Sequence, residues 1–163
     1  MSDKKKIINP FVQQKGDSYN CFGCSPHNNI GFNLEFYAEG EMVCASWLPE
    51  SKYEGYMNVV HGGIQATLMD EIASWYIYAM LDTAGVTNKL DVQYHKPLYV
   101  SGGEVLIKAR LEEHNRKMAL IKTEIINSKG DICSTANVEY YLFPSNVARA
   151  KYMYPGKEAF WKE

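Results

Sequence analysis

An α+β fold, in which one long helix packs on an antiparallel sheet, is predicted by the order of periodic segments along the chain. Six segments alternate apolar and polar residues as strands do, and a longer segment between the second and third has the helical period. Breaker-rich sequences such as Asn127–Asp131 separate consecutive strands. The predicted order is therefore β-β-α-β-β-β-β.

The predicted helix runs from Ile64 to Leu81 and contains no glycine or proline. It can extend for about 19 residues, or roughly 28 Å. At 100° per residue, one side of it forms a narrow apolar stripe, and the opposite side is also apolar. A helix that is apolar on two sides is typical of a central, buried position. The stripe consists of Ile64, Leu68, Ile72, Trp75 and Ala79, and the opposite side of Ala66, Ala73 and Ile77.

Two strands are expected before the helix, at 31–38 and 42–47, and they are joined by a tight turn at Glu39–Glu41. Four strands are expected after it. They are marked by the alternation of Leu90, Val92 and Tyr94, by the alternation from Val105 to Leu111, and by the segments 118–126 and 132–142.

Length and composition are those of one soluble domain, with 163 residues, 46% hydrophobic and 22% charged. A formal net charge of −2 gives no electrostatic reason to expect nucleic acid or membrane partners. No apolar run has the length of a membrane helix or of a signal peptide, so we expect a cytoplasmic protein. We expect a partly disordered lead-in at 1–19, one domain at 20–143, and an aromatic tail at 144–163.

Asp70 is the most informative residue of the predicted helix. It lies too far from the helix start to act as a cap, and burying a carboxylate is costly unless it is paired or hydrogen-bonded. Two interpretations stay open on its position alone, namely a functional carboxylate and a structural one that is satisfied in the core or solvated at an edge. Its neighbour Glu71 lies about 100° further round the helix and is interpreted as a neighbouring or partner-facing residue.

The glycine pair Gly62-Gly63 precedes the predicted helix. Free N–H groups in the first helical turn, together with the positive end of the helix dipole, can bind an anion. Because glycine has no side chain, a ligand can approach the backbone closely there. Such donors suit the oxyanion that forms when an acyl carbonyl is attacked. The alternative is an ordinary turn between a loop and a helix.

The sequence Cys21-Phe22-Gly23-Cys24 allows three interpretations. It can be half of a zinc site, but a structural zinc site needs four ligands, and Cys44, His61 or another subunit would have to complete it. It can be a redox pair, although no βαβ pattern surrounds it. The third interpretation, a compact turn with buried thiols, is the one we adopt, so no metal or cofactor is expected.

Three segments together resemble the hotdog-fold acyl-CoA thioesterases of the phenylacetyl-CoA thioesterase type. The first is Val60-His61-Gly62-Gly63 with Asp70 nine residues after the histidine. The second is the strand from Thr87 to Leu98, with its Tyr94-x-x-Pro97 end, and the third is the late hairpin 116–143. The resemblance covers about residues 20–143. It implies a sheet wrapped around the central helix, and some hotdog proteins carry a similar cysteine lead-in.

The resemblance also implies roles for individual residues. Asp70 would be the general base or nucleophile, and the Gly62 N–H would hold the thioester oxygen. His61 would fix the turn, and Thr87 would come from the other subunit of a homodimer or homotetramer to position the water.

Substrate contacts follow from the same resemblance. Gly63 would lie against the acyl thioester, and Asn58, three residues before the histidine, could supply a side-chain amide near its carbonyl. The coenzyme A phosphates need cations, and the candidates are Lys96, Arg116 and Lys117; the alternative is that these are ordinary solvated charges. Relatives often place an asparagine or glutamine six residues before the histidine, where this chain has Gly55.

The expected activity is hydrolysis of acyl-CoA thioesters to free acid and coenzyme A. The principal alternative is a non-catalytic protein that binds or senses acyl-CoA, which the Gly55 departure favours. A hotdog hydratase or dehydratase ranks below both, because the histidine patterns of those enzymes do not occur. A zinc or redox protein built on Cys21 and Cys24 is a further alternative.

Overall fold

The computed structural model describes residues 3–161, which form a seven-stranded antiparallel sheet with one long helix against it. The strands are β1 Lys4–Ile7, β2 Phe36–Glu39, β3 Met42–Trp47, β4 Gly85–Tyr94, β5 Val105–His114, β6 Met118–Ile126 and β7 Ile132–Leu142. Their spatial order is β1-β2-β3-β5-β6-β7-β4. Strands β1 and β4 are therefore the two edges of the sheet.

The long helix, α2, spans Gly62–Met80 and packs against β3 to β7. Leu68, Ile72, Ala73 and Ile77 are fully buried or nearly so, which confirms the prediction of a central helix with apolar residues on two sides. Two shorter helices, α1 Pro10–Lys15 and α3 Ser145–Tyr152, lie outside the predicted pattern.

Strands β3 and β6 have the predicted boundaries, whereas the first predicted strand is wrong over most of its length. Only residues 36–38 of the segment 31–38 belong to a strand, β2. The Phe32 N–H donates to the Phe22 carbonyl, and the Leu34 N–H to the Gly23 carbonyl, at 2.9 Å each. The backbone of 31–35 is thus satisfied by the cysteine loop and does not join the sheet. Alternating residues still point inward, which is why the sequence looks like strand.

The lead-in, for which we expected partial disorder, carries β1 and α1 within its described part. Helix α1 begins at an Asn-Pro pair, in which the Asn9 side chain accepts from the Phe11 N–H and Pro10 occupies the first turn. Ile7 and Phe11 are buried, so this segment contributes to the core. The expectation for residues 1 and 2 lies outside the described residues.

The aromatic tail folds over the C-terminal end of α2. Tyr154 and Phe160 are buried, and the Tyr154 hydroxyl donates to the Tyr78 carbonyl at 2.7 Å. The Trp161 Nε1–H donates to the Ala79 carbonyl at 3.1 Å. The tail is therefore part of the domain's packing as far as residue 161, and residues 162 and 163 lie outside the described part.

Within residues 3–161, no helix combines the length and the apolar character that a membrane span requires.

Strand β4 contains a bulge, because Thr87 pairs with Tyr140 whereas Lys89 pairs with Glu139, which leaves Asn88 as an extra residue. This irregularity determines which side of the sheet Thr87 faces.

Candidate active site

Asp70 lies on the side of α2 that faces the β7–β4 end of the sheet. Its Oδ1 accepts a hydrogen bond from the Thr87 hydroxyl at 2.7 Å. The Tyr140 hydroxyl lies 3.0 Å from the same oxygen and 2.9 Å from the Asp70 backbone carbonyl. The carboxylate is half-buried and is held by two hydroxyl groups from neighbouring strands. Such an arrangement fixes the orientation of the carboxylate and leaves Oδ2 available for a water or substrate.

Thr87 contacts Asp70 of the same chain, so the expectation that it comes from another subunit is wrong for this pair. The reason is the path of the backbone after α2. Strand β4 runs back along the helix, with Thr87 opposite Asp70 and Tyr94 opposite Gly62. The bulge at Asn88 then turns Thr87 towards the helix, together with its pairing partner Tyr140.

Tyr140 is a residue of this site that the motif did not indicate. Burial raises the pKa of its hydroxyl, and the nearby Asp70 charge raises the pKa further. Tyr140 therefore remains a hydrogen-bond donor to the carboxylate at neutral pH. The alternation of β7 places Tyr140 on the inner face, and this was the available signal for its proximity to the helix.

The start of α2 is shaped by His61 and Tyr94. His61 is the N-cap residue, and its Nδ1 accepts from the Gly63 N–H at 2.9 Å. The Tyr94 hydroxyl donates to the Gly62 carbonyl at 2.6 Å. Among the hydrogen bonds of residues 3–161, none uses the Gly62 N–H, so that donor is available to a ligand.

Gly62 and Gly63 lie close to aromatic side chains. A Cβ on Gly62 would lie 3.2 Å from the Tyr94 ring and hydroxyl, and one on Gly63 would lie 3.1 Å from the His61 Nδ1. The absence of side chains therefore keeps the first helical turn open between two rings. Gly55 lies beside this turn as well, since a Cβ there would be 3.4 Å from the His61 Cα.

The remaining predicted substrate contacts are not assembled around Asp70. The Asn58 side chain is bonded to Ser101, through the Ser101 hydroxyl and the Ser101 N–H at 2.9 Å each, and it therefore joins two loops. Lys96 is paired with Asp131 at 3.3 Å.

Arg116 and Lys117 are exposed on the β5–β6 hairpin, and neither belongs to an ion pair shown within 3–161. Ala119, just after this hairpin, pairs with Tyr140, so the two cations lie at the same end of the sheet as the Asp70 contacts.

A family model matches part of the chain. Residues 57–134 match the family model of the thioesterase superfamily. No curated protein matches the chain significantly.

Solved structures give the same fold. A thioesterase of Haemophilus influenzae has a TM-score of 0.66 and 17% identity, with 75% of this chain and 86% of that chain covered. A Streptococcus mutans protein bound to acetyl CoA has a TM-score of 0.62 and 20% identity over 68% and 89%.

The E. coli PaaI protein, from the phenylacetic acid degradation operon, has a TM-score of 0.62 and 12% identity over 69% and 81%. These likenesses show the fold, and the predicted hotdog arrangement is confirmed. Residues 57–134 are therefore similar to the thioesterase superfamily, and the chain has the hotdog fold.

Proposed function

We propose that this protein hydrolyses acyl-CoA thioesters to the free acid and coenzyme A. The observation that carries the proposal is the Asp70 carboxylate, held on Oδ1 by Thr87 and Tyr140. Either this carboxylate removes a proton from the attacking water, or it attacks the thioester carbonyl itself. The acetyl CoA in the Streptococcus mutans structure, which shares the fold, supports a coenzyme A thioester as the ligand class.

The oxyanion donor is the Gly62 N–H, but it belongs to a second copy of the chain. Gly62 and Asp70 are eight residues apart in one helix, which separates them by about 12 Å along its axis. A single carbonyl group cannot reach both, since reacting atoms and oxyanion donors lie about 3 Å from it. The Asp70 of one protomer therefore acts with the Gly62 of its partner, which makes a homodimer the smallest active unit.

The exposed edge strand β4 supports this assembly. Its apolar residues Val86, Leu90 and Tyr94 are 44%, 37% and 53% exposed, and an unpaired apolar edge favours association. Tyr56 and Met57, in the loop before α2, are 87% and 88% exposed. A second copy placed along β4 covers these residues and brings the two helix starts towards the two carboxylates.

Arg116 and Lys117 are the cations that we assign to the coenzyme A phosphates. Both residues are exposed and lie at the Asp70 end of the sheet. There they can contact the phosphates of a substrate whose thioester is bound at Asp70.

The test is thiol release from a panel of short, long and aryl acyl-CoAs, with wild type, Asp70→Asn and Asp17→Asn compared. Asp17 is an exposed carboxylate outside both the site and strand β4, and it serves as the matched control. We expect turnover by wild type and Asp17→Asn, and loss of turnover with retained binding in Asp70→Asn. Wild-type rates in Asp70→Asn would contradict the catalytic assignment.

The shared site has its own test. Asp70→Asn and a Gly62→Val variant, each inactive alone, are mixed under conditions that exchange protomers. Random mixing places one intact site in half of the dimers, so about a quarter of wild-type activity returns. If no activity returns while mixed dimers are demonstrably present, the two residues act within one chain.

A non-catalytic acyl-CoA binder is the second candidate, and Gly55 favours it. The position lies against His61 at the helix start, yet it offers no side-chain amide to orient a carbonyl or a water. Binding of acyl-CoA without turnover on any member of the panel would identify this function.

A further inference from the structure

Three groups that suit a metal ion meet where the loop 21–24 packs against the central helix α2. The thiols of Cys21 and Cys24 lie 3.2 Å apart, and the Cys21 thiol lies 3.5 Å from the Glu71 Oε1. The three ligand atoms all lie within 4.8 Å of one another. Cys24 is buried, and Cys21 and Glu71 are half-buried. From the sequence, Cys44, His61 or another subunit would have to complete a zinc site. In the structure it is Glu71, from a distant part of the chain, that provides a third ligand.

The loop backbone is shaped around the Glu71 carboxylate. A Cβ on Gly23 would overlap the Glu71 side chain, so any larger residue at this position would displace the carboxylate from its place beside the two cysteines. The Trp75 Nε1–H donates to the Glu71 Oε1 at 3.1 Å and holds it in position from the next turn of α2. A donor that orients a ligand oxygen from behind is common at metal sites.

Glu71 is a half-buried carboxylate that lacks a cation. It belongs to none of the ion pairs found in the described chain, and its contacts are two thiols and an indole. A carboxylate removed from water needs a compensating charge, or it takes up a proton. A divalent cation between the carboxylate and the thiols supplies that charge.

The distances suit zinc better than a disulfide or a hard cation. Zinc–sulfur bonds of about 2.3 Å and zinc–oxygen bonds of about 2.0 Å place tetrahedral sulfur and oxygen ligands roughly 3.5 Å apart, as Cys21 and Glu71 are. Two tetrahedral sulfurs lie about 3.8 Å apart, which needs a small rotation of the thiols. Two thiolates favour a soft or borderline ion over magnesium or calcium.

We propose that Cys21, Cys24 and Glu71 bind a zinc ion, with water or the Tyr19 hydroxyl, 2.8 Å from the Cys24 Sγ, as the fourth ligand. Binding releases the two thiol protons to solvent and leaves zinc coordinated by two thiolates and a carboxylate. The ion cross-links the loop 21–24 to α2, one residue from Asp70. Its role is structural, and the site stands whether or not the domain hydrolyses acyl-CoA.

The experiment measures metal in the full chain purified under reducing conditions, by elemental analysis and by titration with Co²⁺. The variants are Cys21→Ser, Glu71→Gln and Gly23→Ala. The matched control is Cys133→Ser, because Cys133 is fully buried elsewhere and its thiol donates to the carbonyl oxygens of Pro97 and Asp131.

We expect about one zinc per wild-type and Cys133→Ser chain, and sulfur-to-cobalt charge-transfer absorption on Co²⁺ binding. Cys21→Ser abolishes that absorption, and Glu71→Gln and Gly23→Ala weaken metal binding by about tenfold or more. Chelation lowers the wild-type Tm by about 5–10 °C and leaves the Tm of Cys21→Ser unchanged.

Two results would overturn the proposal. One is a reduced wild-type protein that is folded, contains no zinc and does not bind Co²⁺. The other is a Cys21–Cys24 disulfide in the purified protein that, once reduced, still leaves the chain unable to take up metal. Glu71→Gln keeps the size of the side chain and an acceptor for Trp75, so it remains informative if a cysteine variant fails to fold.

Discussion

The Tyr140 hydroxyl lies within hydrogen-bonding distance of both the backbone carbonyl and the side-chain carboxylate of Asp70, at 2.9 and 3.0 Å. One phenol on β7 therefore fixes both the helix position and the carboxylate rotamer. A carboxylate restrained in this way is oriented before any substrate binds, which reduces the reorganisation that catalysis requires.

Replacing Tyr140 with phenylalanine tests this relationship. We expect kcat to fall by about tenfold and KM to stay within about twofold, because the carboxylate loses orientation but no substrate contact. The free energy of unfolding falls by about 1–2 kcal/mol, since the carboxylate loses a donor. The control is Tyr141→Phe on the exposed neighbour, measured by steady-state kinetics and urea unfolding. An unchanged kcat in Tyr140→Phe would remove Tyr140 from the site.

The Thr87 hydroxyl is the second donor to Asp70. Thr87→Val keeps the shape of the side chain and removes the hydroxyl, so kcat falls by about 10–100-fold. Thr87→Ser keeps the donor and retains most of the activity. Because Thr87 is exposed, neither change alters stability by more than about 0.5 kcal/mol. Equal rates for the valine and serine variants would show that the hydroxyl is not used.

Gly62→Ala changes the space at the helix start without straining the backbone. Its Cβ would lie 3.2 Å from the Tyr94 hydroxyl, so the ring must move and shield the adjacent N–H. Alanine also favours the helix by up to about 1 kcal/mol, so stability is kept or raised while turnover falls. The control is Gly102→Ala, whose Cβ makes an ordinary contact at 3.9 Å. Normal turnover in Gly62→Ala would argue against an oxyanion donor at this position.

The tail residue Phe160 tests the packing at the other end of α2. It is fully buried, and its ring lies 5.7 Å from those of Phe11 and Tyr78 and 5.6 Å from that of Trp75. Phe160→Ala should lower the free energy of unfolding by about 3–5 kcal/mol in urea titrations. Tyr152→Ala, on a ring that is 42% exposed, serves as the control and costs less than about 1 kcal/mol. A small effect at Phe160 would mean that the tail detaches easily.

Alkaline pH should destabilise the fold through its buried tyrosines. Burial raises the pKa of Tyr154, and the charge of Asp82 raises it further. A folded pKa above the unfolded value of about 10 means that the contribution is complete below pH 10 and is lost as pH rises further. In Tyr154→Phe, the free energy of unfolding should fall less steeply with pH than in wild type, by up to about 1.4 kcal/mol per pH unit. Identical slopes of unfolding free energy between pH 10 and 11 for both proteins would contradict this assignment.

Periodicity alone was sufficient for the long elements. Helix α2 and strands β3 and β6 follow from the spacing of apolar side chains, because each is packed on a face that the sequence pattern reports. The short pairing of β1 with β2 could not be predicted from the sequence, because Lys4–Ile7 is mostly charged and its pairing depends on tertiary contacts.

The site was less accessible to sequence reasoning than the fold. Asp70 and the helix start were predictable from residue type and spacing. The orientation of Thr87 was not, because the alternation of Leu90, Val92 and Tyr94 places odd-numbered residues on the outer face. One extra residue at Asn88 reverses that alternation. The helix position of Glu71 indicates a neighbouring or partner-facing residue, because its contact with Cys21, fifty residues away in sequence, leaves no local signal.

The contact between the lead-in and the tail has a consequence for synthesis. The Ile8 N–H donates to the Phe160 carbonyl at 2.8 Å, and Phe11 packs on the Phe160 ring. Translation proceeds from the N-terminus, so α1 emerges from the ribosome long before the residues that cover it. The C-terminal part of α2, which carries Trp75 and Tyr78, is not covered by Phe160 until residue 160 has left the exit tunnel. Until then, the faces of Trp75 and Tyr78 that Phe160 covers in the folded protein have no partner from the tail.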